Sequence, residues 1–367
     1  MLHLKPYNAE NKMYVDQAIT DAKKALNYSP SNLMALSTLP TAYIWSAMKS
    51  SSTSAKIFSG RQSLVYINEL KNTYPEHYMT SLIIGNYHVM KDINPLTMSP
   101  KDYDKAIKLL EKTIIIAEKG IRNNLSDPWL LFAYQGALEL MIITEYKYSS
   151  FSNSIHYSNI LIDLLKNEYN MEMLVRIYYW ASLPKIMLGD YDGVIKNVAA
   201  LDRLANQLPP TYDITRSRFN SSLLLGYSYL QLGKVELGLD MLNKIDTATT
   251  FFENDWKART EYYGYLAMSN YESGNEEKGM EFFNKIDNLI KSLYKNDRTQ
   301  LTNRRDIHNN PLSWGLLAQG FKVKNLLDKN QIDRAKKELN ELEREFSNIS
   351  VIIPTLAVDI PYYLALI

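Results

Sequence analysis

The run Leu225-Gly226-Tyr227-Ser228-Tyr229-Leu230-Gln231-Leu232-Gly233-Lys234-Val235-Glu236-Leu237-Gly238 constrains the fold more than any other part of the chain. Apolar residues three and four apart mark a helical stripe on either side of Gly233. Gly233, with no Cβ, can end the first helix in a left-handed conformation at little steric cost. Gly226 and Gly238 leave room for two helices to approach closely where they cross. The run predicts two antiparallel helices joined by a tight turn.

The same arrangement recurs. Turn glycines fall at Gly189, Gly233 and Gly274, spacings of 44 and 41. A small residue precedes each by seven positions: Ser182, Gly226 and Ala267. Val194, Gly238 and Gly279 follow by five, and Val198, Leu242 and Phe283 by nine. Self-similarity of this kind is the mark of a repeat array. The pattern resembles the tetratricopeptide repeat (TPR) over residues 171–290, most closely at 219–246. Outside that region the resemblance thins. Trp314, Leu317, Ala318 and Phe321 supply a first helix, and Ile332, Ala335, Leu339 and Leu342 a second, with no glycine between them. Tyr103, Ala106 and Leu110 resemble another second helix. The spacings exceed the family's period of about 34, which predicts longer helices or linkers. The resemblance implies an all-α fold, a right-handed α-α superhelix (TPR-like solenoid) of about seven helix pairs.

Periodicity and punctuation predict those pairs. They are 32–49 with 53–73, 76–91 with 101–122, 128–147 with 152–167, 171–188 with 191–206, 214–232 with 235–246, 256–273 with 276–294, and 312–328 with 331–347. Asp127-Pro128, Ser99-Pro100 and Asn310-Pro311 each put a capping residue before a proline suited to the first helical position. Pro40 and Pro184 fall inside first helices and should kink them. The longest non-helical link is Asn296–Pro311, with Arg298, Arg304 and Arg305. The chain therefore divides into an N-terminal helix or half-repeat (1–31), divergent repeats (32–170), the best-matching repeats (171–294), a linker with the last pair (295–350) and an apolar tail (351–367). Residues 13–30 read as a second helix whose first helix is missing, either an N-terminal cap or the start of a chain that begins inside an array. The tail is apolar to its last residue, whereas arrays finish with a polar cap. Three seats would bury it: the last repeat, the array's own groove, or a second copy of the chain, which would make it a homo-oligomer interface.

Composition removes several function classes. The 41 basic and 40 acidic residues are mixed along the chain and leave a net charge of +1, unlike the basic face of a direct nucleic-acid binder. There is no cysteine, hence no disulfide, thiolate ligand or thiol nucleophile. No run of about 18 apolar residues is present to span a bilayer. The first residues lack the apolar core of a signal peptide, so the expectation is cytoplasmic. His3, His77, His88, His156 and His308 show no pairing at metal-ligand spacing. No phosphate-binding, dinucleotide, zinc-protease or nucleophile-elbow motif occurs. Glu276-Glu277 and Asp190/Asp192 are acids at the starts of second helices, where they favour the helix dipole. No enzyme, cofactor or metal is called for.

The 27 tyrosines are the better clue. Most fit amphipathic core positions with a hydroxyl reaching water. The TPR resemblance implies that others line a concave face binding a peptide or partner helix. Its groove positions correspond to Arg176, Tyr179, Leu183 and Met187, then Asn220, Leu223, Tyr227 and Gln231, then Glu261, Met268, Tyr271 and Glu272. That lining suits an amphipathic segment, and the family's carboxylate clamp for acidic C-terminal peptides is not reproduced. Three readings follow: a non-enzymatic protein-interaction scaffold, a ligand-sensing module of a larger bacterial sensor or transcription regulator, and an α/α-toroid glycoside hydrolase using Asp190 or Asp192. The first fits the residues best.

Overall fold

The computed structural model describes residues 9–49, 53–93, 100–123, 127–168, 170–245, 247, 252–253, 255–294, 311–347 and 354–366. All regular structure among them is helical, in sixteen helices. The predicted link at 296–310 with its arginines, and the caps Ser99 and Asn310, lie outside the described residues.

The helices are α1 (Ala9–Tyr28), α2 (Leu33–Lys49), α3 (Thr53–Thr73), α4 (Tyr78–Ile93), α5 (Pro100–Arg122), α6 (Pro128–Lys147), α7 (Phe151–Asn167) and α8 (Met171–Met187). They continue as α9 (Tyr191–Ala205), α10 (Tyr212–Gln231), α11 (Val235–Asn243), α12 (Trp256–Glu272), α13 (Glu276–Tyr294), α14 (Pro311–Asp328), α15 (Ile332–Ser347) and α16 (Pro354–Leu366). Each predicted pair is present, α2/α3 through α14/α15, with α1 before and α16 after. Pro40 and Pro184 lie inside α2 and α8 as predicted. The chain divides into two compact units, Met1–Leu164 and Leu165–Ile367.

In the first unit α1 lays Ala22 on Ala35, Leu39 and Tyr43 of α2. Leu36 of α2 meets Ile67 and Leu70 of α3 and Ile83 of α4. The largest cluster joins α4, α5 and α6 through Met79, Leu82, Leu110, Ala133, Ala137 and Met141. Helix α6 starts where Asp127 accepts the Trp129 amide at 2.9 Å, with Pro128 in the first turn, so this predicted cap is formed. The Asp127 carboxylate also receives the Tyr78 hydroxyl at 2.5 Å, which ties the cap to α4.

In the second unit the turns share one geometry. Gly189, Gly233 and Gly274 have φ of 74°, 74° and 80°. In each, the amide after the glycine reaches back to the last helical turn: Asp190 to the Lys185 carbonyl at 2.9 Å, Lys234 to Tyr229 at 2.8 Å, Asn275 to Asn270 at 2.8 Å. This is the left-handed helix stop that the glycines predict. The α14/α15 turn, which has no glycine, is built the same way. Asn330 takes φ 56° and the Gln331 amide bonds the Leu326 carbonyl at 2.8 Å. In the first unit Ser149 does likewise between α6 and α7, at φ 63°.

Where the helices of a pair cross, small residues are required. A Cβ on Gly226 would stand 2.6 Å from Leu242, one on Gly238 2.7 Å from the Gly226 carbonyl oxygen, and one on Gly279 2.7 Å from the Tyr271 ring. Successive pairs are bolted together by polar groups. Asn325 of α14 donates to the Tyr271 carbonyl, Lys324 pairs with Glu272 at 2.6 Å, and Lys329 reaches the Gly274 carbonyl at 2.9 Å. Arg334 of α15 pairs with Glu276 of α13.

Candidate functional site

The predicted groove residues sit on α8, α10 and α12, the first helices of three successive pairs. Six of the nine principal positions are buried: Leu183, Asn220, Leu223, Glu261, Met268 and Tyr271. Tyr271 has no exposed surface. Its ring lies against Gly279 on α13, at the crossing within its own pair, and α14 covers its backbone through Asn325. A side chain in that place cannot touch a partner while the pair stays closed. Arg176, Tyr179 and Tyr227 keep part of their surface exposed. Met187, Gln231 and Glu272 do as well.

Tyr179 leans on the core formed by Val175, Leu201, Ala205 and Ile214. Tyr227 belongs to a different assembly. Its ring lies 6.4 Å from Tyr191 of α9, 5.5 Å from Tyr265 of α12 and 6.4 Å from Phe321 of α14. Tyr265 in turn lies 5.0 Å from Trp314. Four helices thus contribute to one aromatic cluster, with edge-on and tilted rings at the separations such pairs prefer. Of the residues in this cluster, the sequence places only Tyr227 in the groove. Trp314 and Phe321 were legible as first-helix residues, seven apart on one side of α14, but nothing in their spacing points toward α10.

The C-terminal helix packs on the last pair. Ile360 and Tyr363 of α16 join Leu316 and Val323 of α14 and Leu339 and Leu342 of α15 in one core cluster. Burial, then the neighbouring Tyr191, Asp359, Glu272 and Tyr363, push the Tyr227 phenol above its usual pKa. Burial also raises Tyr363, with Asp359, Glu272 and Asp328 adding to it. Asp359 is raised by burial despite the opposing charge of Lys324. Both phenols therefore stay neutral around pH 7. Within the cluster Tyr191, Tyr227 and Phe321 keep part of their surface exposed, whereas Tyr265, Trp314 and Tyr363 are buried.

Of the two acids considered for catalysis, Asp190 has a structural role and Asp192 lies in the first turn of α9. Asp190 caps α9, accepting the Gly193 amide at 3.0 Å, and pairs with Lys185 at 2.9 Å. Its carboxyl is held below the usual range, chiefly by the hydrogen bond from Lys185, which outweighs the opposing effect of burial, with the Gly193 amide adding to the lowering. In the first unit His88 Nδ1 lies 2.9 Å from Asp102 Oδ1, and Glu145 receives the Tyr103 hydroxyl at 3.0 Å. No group of three or more His, Asp or Glu among the described residues could hold a metal ion. No described helix is long and apolar enough to cross a membrane. Helix α3 also exposes an apolar stripe, Ile57, Phe58, Leu64 and Val65.

No protein-family model matches the chain. No curated protein matches it either. Among solved structures the chain is similar to the crystal structure of the P58(IPK) TPR domain, at 12% identity, over 96% of this chain and 93% of that one, with a TM-score of 0.26. At that score whole-chain superposition adds nothing to the architecture, which rests on the turns, crossings and pairings described above. On those grounds the chain is an all-helical repeat protein whose consecutive pairs are TPR-like in their local geometry.

Proposed function

We propose that the chain is a non-catalytic protein-interaction scaffold, and that the inner face of its second unit takes an amphipathic peptide or partner helix. The observation that carries this reading is the aromatic cluster around Tyr227. Partly exposed aromatic side chains offer large contact area with little conformational freedom to lose, and such residues dominate the energetics of interfaces. Arg176 and Tyr179, still partly exposed on α8, extend the face toward the start of the unit. Helix-in-groove recognition reads apolar anchors three and four residues apart, and rings drawn from successive first helices suit such a ligand.

The test is affinity capture from the native cell with the full chain, comparing parent, Tyr179→Ala and Tyr227→Ala. Far-ultraviolet circular dichroism would confirm that each variant keeps its helices. Recovery of a specific protein should fall at least about tenfold in the variants, the loss of ~1.4 kcal/mol expected for one truncated aromatic anchor. Equal recovery from all three proteins would remove this face as the binding surface.

A further inference from the structure

We infer that His77 is a proton-operated latch in the first unit: as a neutral imidazole it caps α4 and holds shut the joint between the α2/α3 and α4/α5 pairs, and as an imidazolium it lets go.

His77 stands immediately before α4, and its backbone carbonyl accepts the Thr80 amide at 3.0 Å. Its ring Nδ1 accepts the Met79 amide at 3.1 Å. The side chain thus fills a role usually given to Ser, Thr, Asp or Asn, satisfying a helix-start N–H that has no partner within the helix. An imidazole nitrogen accepts only while it carries no proton. Protonation turns Nδ1 into a donor aimed at another donor, and adds positive charge where the helix dipole is already positive. The bond to the buried Met79 cannot survive that change.

The latch sits where three connections meet. The His77 ring lies 4.3 Å from Tyr78 and 6.2 Å from Tyr74, just past the end of α3. The Tyr74 hydroxyl donates to the Ser31 carbonyl between α1 and α2. The Tyr74 carbonyl accepts the His77 amide at 3.2 Å and the Thr80 hydroxyl at 2.6 Å. Tyr78 donates to Asp127 at the start of α6. From α5, Lys112 pairs with Glu76, the chain neighbour of His77, at 2.6 Å.

Burial holds the ring below its ordinary pKa of 6.5, and the Asp127 carboxylate opposes it without reversing the effect. The ring is only half-buried, so protons still reach it. The closed joint binds its proton less readily than the open one. Closure is therefore fully supported above pH 6.5 and is lost as pH falls through the lowered value. Leu36, Ile67, Leu70 and Ile83 hold the bodies of the pairs together, so release frays the first turn of α4 without unfolding the unit.

The test is amide exchange in the full chain, corrected for intrinsic rates, at about pH 7.5 and about pH 4.5, on either side of a histidine titration. Protection of the Met79 and Thr80 amides should fall at least about fivefold in acid, the equilibrium equivalent of one lost cap. Asn170 caps α8 through the Met173 amide at 3.3 Å and does not titrate, so Met173 is the internal reference. His77→Asn keeps an acceptor at either pH and should hold the protection of Met79 level. Nitrogen-15 spectra of the histidines should show Nδ1 of His77 without a proton near neutral pH. The inference is overturned by parent protection at Met79 that does not fall relative to Met173, by an acid loss that persists in His77→Asn, or by a proton on Nδ1 at neutral pH. Should the variant fail to fold, the exchange profile and spectrum of the parent still decide.

Discussion

Asn325 donates its side-chain amide to the backbone carbonyl of Tyr271 at 2.7 Å, joining α14 to α12 inside the core of the second unit. The Oδ1 of the same side chain is buried with no hydrogen-bond partner among the described residues. Asn325→Ala therefore removes one satisfied and one unsatisfied polar atom together, while leaving the Tyr271 carbonyl with one bond fewer. The expected loss is about 1 kcal/mol, the low end for a buried hydrogen bond. Urea denaturation should show a lower midpoint with an unchanged slope. A loss above ~3 kcal/mol would mean that the contact organises more than one bond.

The crossing glycines separate packing from backbone effects. Gly279→Ala would place a methyl 2.7 Å from Cδ1 and Cε1 of a fully buried tyrosine that has no room to retreat. Overpacking of this kind costs about 1–3 kcal/mol. Gly60 lies within α3 and an added methyl there meets nothing within 4 Å. Gly60→Ala should stabilise by about 0.5–1 kcal/mol through helix propensity. Thermal or urea melts of the two variants should move in opposite directions.

The turns make a second paired comparison. Gly274 sits at φ 80°, so Gly274→Ala should lose about 1–2 kcal/mol with no change in contacts. Asn330→Gly, at φ 56°, should fall within about 0.5 kcal/mol of the parent, since relief of strain is offset by the freer unfolded chain. Asn330→Val should behave like Gly274→Ala or worse, because a β-branched side chain is poorly accommodated there. Equal stability of all three would mean that the turns do not control pair closure.

Two carboxylates predict opposite responses to acid. Asp190 is held below its usual 3.8, so its contribution to capping α9 is full above that value and disappears as pH falls through the depressed one. Asp359 is raised above 3.8 by burial, with Lys324 pulling the other way. Its proton is bound more tightly when α16 is seated, so seating is strongest below about pH 4 and weakens as pH rises through the raised value. Exchange protection of α16, corrected for intrinsic rates, should be greater at pH 4 than at pH 7. Asp359→Asn should flatten that difference, and a parent profile that is already flat would refute the assignment.

The pairing scheme was readable because three turns keep a glycine and because helix stripes repeat at 3.6 residues. Asn330 and Ser149 serve the same turn; asparagine is the residue that most often replaces glycine in a left-handed helix stop, so the Asn330 turn carried a signal that a search for glycine passed over, whereas serine carries none. The groove was readable only as a set of elements. Positions on α8, α10 and α12 follow from the TPR resemblance, but the direction of Tyr271 depends on Gly279, which admits its ring into the pair crossing. The cluster around Tyr227 depends on α14 and α9 coming near α10, a long-range relation that no local spacing encodes. The tail was legible as needing a seat, and the structure seats it on α14 and α15.

A turn that accepts glycine, asparagine or serine lets each unit lose its most recognisable letter while its backbone path stays unchanged. Successive copies of such a unit can diverge in spelling far faster than in shape. Recurring φ reversals between helices mark five of the pairs, whatever residue stands at the turn.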